Sequence, residues 1–219
     1  MKSFETKLYN PRDIGGEPNT EEIKDIRYLE NKLSQIPEFV SLSIHGSTVK
    51  GYSNETSDVD ITILFDSNGI KYNSKEYWQI QERLSKIAQE TKSEVWDRKK
   101  EKGQRPKNFQ FRYVDIGSDV VENEPMSKNR YKKLALLFSL STGKKIDGYR
   151  KYWVDRMNKL PTNEKETWIS GIINVLIEST DIDYETLQER TGIADKNNLI
   201  DARKKLWRQR IENFLASEK

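Results

Sequence analysis

The sequence predicts an α+β protein, a mixed sheet with flanking helices over residues 1–125 followed by an α-helical region over 126–219 that packs on it. Three observations carry this. Strand-type alternation of apolar and polar residues is confined to the first part, whereas apolar residues at helical spacing dominate beyond Ser127. The charge divides near the same seam: residues 1 to 116 carry 19 basic and 19 acidic groups, so the whole net charge of +3 lies downstream. Two parts with different composition are expected to do different work.

Asn19 followed by Glu22 has the form of a helix-capping box, and Ile23, Ile26, Leu29, Leu33 and Ile36 then recur at helical spacing until Pro37. Val40 to His45 alternates, with Val40, Leu42 and Ile44 on one face of a strand and Ser41, Ser43 and His45 on the other. Asp58 to Asp66 reads as a second strand, apolar through Val59, Ile61, Ile63 and Phe65, with Asp58, Asp60 and Thr62 on the opposite face. Tyr77, Ile80, Leu84, Ile87 and Ala88 mark a second amphipathic helix. Glu94 to Asp97 and Phe109 to Ile116 are expected as two further strands, joined by a loop carrying Arg98, Lys99, Lys100, Lys102, Arg105 and Lys107. Helices follow over Leu134 to Leu140, Tyr149 to Met157, Trp168 to Ile177 and Leu199 to Leu215, the last with a basic outer face. Tyr184, Leu187 and the Thr191-Gly192-Ile193 turn have a weak helix-turn-helix form, outweighed by a plain helical bundle.

Composition excludes several classes. With 38 Lys and Arg against 35 Asp and Glu, the charge does not by itself imply nucleic acid. One His and no Cys rule against zinc clusters and thiol catalysis, so a catalytic metal must be held by carboxylates. Five Trp, ten Tyr and seven Phe supply the apolar surface of a folded core despite 33% charged residues. No apolar run reaches the roughly 20 residues of a membrane helix, and the first residues lack the apolar stretch of a signal peptide, so a cytoplasmic protein is expected.

The segment HGSTVKGYSNETSDVDITILFD, residues 45 to 66, concentrates the chemistry. A strand runs into Gly46 and Ser47, and Asp58-Val59-Asp60 heads the next strand. Period-two geometry puts both carboxylates on one face, where they repel unless a cation bridges them, and hard divalent ions such as Mg2+ favour oxygen ligands. Gly46 presents no side chain, so backbone amides around Gly46 and Ser47 can approach phosphate oxygens, with the Ser47 hydroxyl as a further donor.

Gly46, Ser47, Gly51, Ser57, Asp58 and Asp60 resemble, position by position, the signature of the DNA polymerase beta-like nucleotidyltransferase superfamily, with Lys50 where minimal nucleotidyltransferases often have Arg. Its third carboxylate, on a later strand, is matched by the Val114-Asp115-Ile116 pattern, with Glu94 and Asp97 as rivals. The resemblance, which covers about residues 40 to 116, implies a two-metal transferase. Asp58, Asp60 and Asp115 would hold two Mg2+ ions, or Mn2+, and Asp115 would orient or deprotonate the attacking hydroxyl. Gly46, Ser47, Lys50 and Gly51 would bind a nucleoside triphosphate, ATP among the candidates. The reaction is in-line attack of a hydroxyl on the α-phosphate with release of pyrophosphate. Three acceptors compete: an RNA 3′ end, since the pattern also resembles noncanonical poly(A) polymerases and terminal uridylyltransferases; an antibiotic-type small molecule; and the hydroxyl of a partner protein, as in antitoxins that modify a toxin. The rival from another class is a non-catalytic RNA- or partner-binding protein on the same fold. His45 reads as a supporting residue, since two-metal phosphoryl transfer needs no histidine.

Overall fold

A computed structural model of the chain describes residues 20–46, 57–117, 126–142, 145–177, 185, 188–189 and 192–216. The first helix, α1 (Thr20–Leu33), leads through a tight turn into β1 (Phe39–His45), and β2 (Val59–Phe65) returns antiparallel to it. A long helix, α2 (Lys75–Glu101), then crosses back to β3 (Phe109–Asp115), which runs parallel to β2. Parallel neighbours need such a crossover, because a short turn can only reverse the chain. After α3 (Lys128–Phe138), the short strand β4 (Leu140–Thr142) pairs antiparallel with Leu42 to Ile44 of β1. The sheet order is therefore β3-β2-β1-β4, and the helices α4 (Ile146–Asn158), α5 (Thr162–Ile177) and α6 (Lys196–Ala216) complete the described chain.

The expected alternation sets the layers. Leu42 and Ile44 of β1 and Val59, Ile61, Ile63 and Phe65 of β2 are all fully buried on one face, where Tyr77 of α2 meets the Phe65 ring at 5.8 Å between centroids. The other face carries Ser41, Ser43 and His45 of β1 opposite Leu64, Thr62 and Asp60 of β2. The C-terminal turn of α3 closes part of this polar face: the hydroxyls of Ser43 and Ser139 both donate to the Leu136 carbonyl at 2.7 Å. Backbone polarity buried by the helix is thereby satisfied from the strand.

Two expectations fail. Glu94 to Asp97 is not a strand but the continuation of α2, whose buried stripe Tyr77, Ile80, Leu84, Ala88, Thr91 and Val95 keeps helical spacing without a break. Glu94 faces α1, accepting from the Tyr28 hydroxyl at 2.6 Å and pairing with Lys32 at 3.2 Å. The helix begins at a Ser74 cap, whose hydroxyl accepts from the Tyr77 amide at 3.2 Å, and gives way at Gly103, which takes φ +67°. The second failure is β4, since strand pairing was expected to stop before Ser127. Three residues are too few to show an alternation.

The basic stretch expected as a loop begins inside α2, whose last turn holds Arg98, Lys99 and Lys100, and it is less free than its sequence implies. Arg98 and Lys99 pair with buried Asp25 of α1, at 2.6 and 2.5 Å, and Lys107 pairs with buried Glu22 at 2.6 Å. Half of the six cations are thus committed to holding α2 and its exit against α1.

In the helical part, Gly171 of α5 lets the Tyr131 ring of α3 lie where a Cβ would sit 2.5 Å from it. On α6 the buried residues are Leu199, Arg203, Trp207, Arg210, Ile211 and Leu215, so two of the arginines expected on an outer basic face point inward, Arg210 lying over the Trp207 ring at 4.7 Å. Tyr184, Leu187 and Thr191 lie outside the described residues. No helix among the described residues is long and apolar enough to cross a membrane.

Candidate functional site

The site is built by the antiparallel pairing of β1 and β2. His45, the last residue of β1, lies directly opposite Asp60, so Gly46, the next residue, falls beneath the Asp60 side chain. A Cβ built on Gly46 would stand 1.8 Å from Asp60 Oδ2 and 2.7 Å from its Cγ, and the backbone there has φ +72°. Sterics and backbone conformation both demand glycine at this position. Asp58 sits two residues before Asp60, about 7 Å along the chain and on the same face. Gln110 of β3, the register partner of Asp60, donates its side-chain amide to Asp58 Oδ2. One step further along the sheet, His45 Nε2 lies 2.8 Å from Thr62 Oγ1, and Thr62 stands opposite Arg112. The polar face therefore presents a row of His45, Asp60 and Gln110, then a row of Ser43, Thr62 and Arg112. Ser47, Lys50 and Gly51 lie outside the described residues.

The structure does not bring Asp115 to this pair. In the parallel register Asp60 faces Gln110, whereas Asp115 faces Phe65 at the other end of β2, five residues or about 17 Å further along. The odd offset also turns it to the opposite face of the sheet. There it is buried, with Oδ1 accepting from the amides of Ser67 at 3.2 Å and Gly117 at 3.1 Å, and Oδ2 from the Ser67 hydroxyl at 2.6 Å. Beside it, Asp66 accepts from the Asn68 amide at 2.8 Å and from the Tyr149 hydroxyl. Burial first, and the Asp66 carboxylate second, push the Tyr149 phenol well above the ordinary tyrosine range. Glu94 and Asp97 do not replace Asp115, since both are on α2 and Glu94 is engaged with α1.

A cavity of about 670 Å³ opens beside Gly46 on the polar face. Its floor is His45, Gly46, Thr62, Arg112 and Val114, and its walls come from α3 and from Val175 and Leu176 near the end of α5. Arg112, Arg130, Lys132 and Lys133 line it, and no carboxylate does so among the described residues. Its volume suits a ligand of nucleotide size, within the common range of roughly 300 to 1,000 Å³. Sequence reading missed Gln110 and Arg112. Their signal was present in the alternation of Phe109, Phe111 and Tyr113 with Gln110, Arg112 and Val114, but the register that aligns them with Asp60 was not.

Residues 27–125 match the family model described as polymerase beta, nucleotidyltransferase. This segment is a polymerase beta-type nucleotidyltransferase domain. No curated protein and no solved structure shows a significant match to the chain. Nucleotidyltransferases of this type use divalent metal, and the donor set can be tested against that need. Two carboxylates on one face fit Mg2+, which is commonly held by one or two carboxylates plus substrate phosphates and water. Among the described residues no cluster of three or more acidic or imidazole side chains forms, so the nucleotidyltransferase domain offers the pair alone.

Proposed function

We propose that the chain transfers a nucleoside monophosphate from a nucleoside triphosphate to the 3′ hydroxyl of an RNA, releasing pyrophosphate. The observation that carries this reading is the juxtaposition of Asp58 with Asp60, which sits over Gly46, and a cationic cavity of nucleotide size on the same face. In this reading Asp58 and Asp60 hold Mg2+, or Mn2+, and Gln110 fixes the Asp58 carboxylate. Gly46, Ser47, Lys50 and Gly51 receive the triphosphate. Asp58 and Asp60 would hold the divalent cation, which when bound would supply neutralisation of the charge growing on the entering and leaving oxygens of in-line displacement. The close fit of Gly46 to Asp60 keeps the carboxylate in place without a rotamer search, which favours a preorganised site. The acceptor oxygen attacks the α-phosphorus and gives up its proton to solvent, the bond to the bridging oxygen breaks, and the pyrophosphate leaves with the electron pair.

The test is incubation of the full chain with each labelled triphosphate, Mg2+ or Mn2+, and total RNA, compared with Asp58→Ala. Label on RNA with wild type and not with the variant is the expected result. Label on a hydroxyl-rich small molecule or on a protein would reassign the acceptor. Absence of any labelled product together with absence of metal-dependent triphosphate binding would remove the enzymatic reading and leave a binding protein on this fold.

A further inference from the structure

We infer that Arg112 of β3 and Lys132 of α3 form the acceptor subsite of this cavity and that the acceptor they receive carries phosphate next to its reacting hydroxyl. The inference rests on the nucleotidyltransferase reading and adds to it the residues that receive the second substrate. The triphosphate end of the site is fixed by Asp58, Asp60 and the Gly46 turn, at the start of β2. Arg112 faces Thr62, two residues beyond Asp60 on the same face, and so lies about 7 Å further into the cavity. Lys132 reaches the same cavity from α3. Both side chains are exposed, and neither has a hydrogen bond or ion pair among the described residues. By contrast, Arg98, Lys99 and Lys107 are spent on buried acids of α1.

Two cations, one on the floor and one on the α3 wall, with no carboxylate lining the cavity among the described residues, select against a polycationic acceptor such as an amino sugar, which needs acidic partners to bind. They select for an anion, and a guanidinium offers the planar double donor that phosphate oxygens accept. Val114, Ala135, Leu136, Val175 and Leu176 give the cavity an apolar side against which a base or ribose can lie. A nucleotide unit meets both demands, as the end of an RNA chain or as a free nucleotide, and the phosphate chemistry is common to the two.

The experiment measures binding of a labelled oligoribonucleotide to the full chain by fluorescence anisotropy at several salt concentrations without triphosphate. Wild type is compared with Arg112→Ala, Lys132→Ala and Asp60→Ala, with adenosine monophosphate as competitor. The expected result is weakening of about tenfold for Arg112→Ala and for Lys132→Ala, with the slope of log K against log salt reduced by about one for each. Asp60→Ala is expected to keep RNA binding. In the complete reaction the same two substitutions raise KM for the acceptor and leave KM for the triphosphate unchanged. Equal competition by the mononucleotide identifies the free nucleotide as the source, and weak competition identifies the RNA end. Unchanged binding and salt slope in both variants would overturn the assignment, as would label transfer to an amino sugar as readily as to RNA. Failure of wild type to transfer label to anything, while both variants still lose RNA binding, would remove the nucleotidyltransferase reading and leave the phosphate subsite standing.

Discussion

Gly46→Ala is the substitution whose outcome the structure defines most sharply, because Gly69 supplies a matched control. Gly46 and Gly69 share a left-handed backbone, at φ +72° and +78°, but a Cβ at Gly69 meets nothing within 4 Å. Alanine pays about 1–2 kcal/mol for that conformation at either site. At Gly46 the new Cβ also stands 1.8 Å from Asp60 Oδ2, 2.7 Å from Cγ and 3.1 Å from Cβ. Rotating the Asp60 side chain can carry Oδ2 and Cγ away, but its Cβ stays tight, so the β1–β2 pairing must also give. Overpacking of this kind adds about 1–3 kcal/mol. Gly46→Ala is therefore expected to lose about 2–5 kcal/mol and Gly69→Ala about 1–2 kcal/mol, read from urea unfolding midpoints. Displacing a reacting-site carboxylate by about 1 Å is expected to slow label transfer by about 100-fold in Gly46→Ala and not in Gly69→Ala. Adding Asp60→Ala to Gly46→Ala removes the clashing carboxylate, so the two losses of stability should be strongly non-additive. Equal stability losses at the two glycines, with transfer intact in Gly46→Ala, would refute the contact between Gly46 and Asp60 on which the site is built.

Three further outcomes are expected. Asp115→Asn should cost about 1–3 kcal/mol, because an amide nitrogen would face one of the donors now satisfied by the carboxylate, while Mn2+ binding followed by electron paramagnetic resonance stays unchanged. Loss of metal binding in a folded Asp115→Asn protein would contradict the β2–β3 register. Gly171→Ala should lower the thermal midpoint although alanine favours helix by about 1 kcal/mol, since the Tyr131 ring is only 2.5 Å from the added Cβ; a raised midpoint would show that α3 and α5 pack differently. The Tyr149 phenol holds its proton more tightly folded than unfolded, so its contribution to stability is whole below the ordinary tyrosine value near ~10 and is lost as pH rises above it. Tyr149→Phe should flatten that alkaline fall in unfolding curves, and an unaltered slope would speak against the half-buried pair with Asp66.

What was legible in the sequence was what neighbours settle. The alternation from Val40 to His45 and from Asp58 to Asp66 defined both strands and both faces, and a hairpin-like return was enough to bring Gly46 near Asp60. Register between β2 and β3 was not legible, because it depends on a 27-residue helix and the path on either side of it. Asp115 fulfilled the expected hydrophobic-Asp-hydrophobic pattern and still came out on the wrong face. The Val95 and Trp96 pair reads as strand-forming, yet Val95 is the next member of the α2 stripe, and burial of that stripe overrode local preference. Charge runs misled for a related reason: Glu22 and Asp25 sit on a helix far from Arg98, Lys99 and Lys107 in sequence, and only the fold brings them together.

The sheet thus has an acidic centre at each end of β2, on opposite faces, and hydrogen bonding decides which can meet a cation. At the far end, buried Asp115 has one oxygen accepting from two amides and the other from a hydroxyl. To ligate a metal it would have to surrender bonds that contribute about 1.5–3 kcal/mol each when the acceptor is charged. Asp115 acts instead as a clasp between the exits of β2 and β3, tying Ser67 to Gly117. At the near end, Asp58 takes a single side-chain amide from Gln110, a neutral partner that orients the carboxylate without cancelling its charge. Asp58 and Asp60 stand half-buried at the edge of a cavity whose lining is cationic. A pair of negative charges beside positive walls can hold a cation and a polyanion together, as nucleotidyl transfer requires.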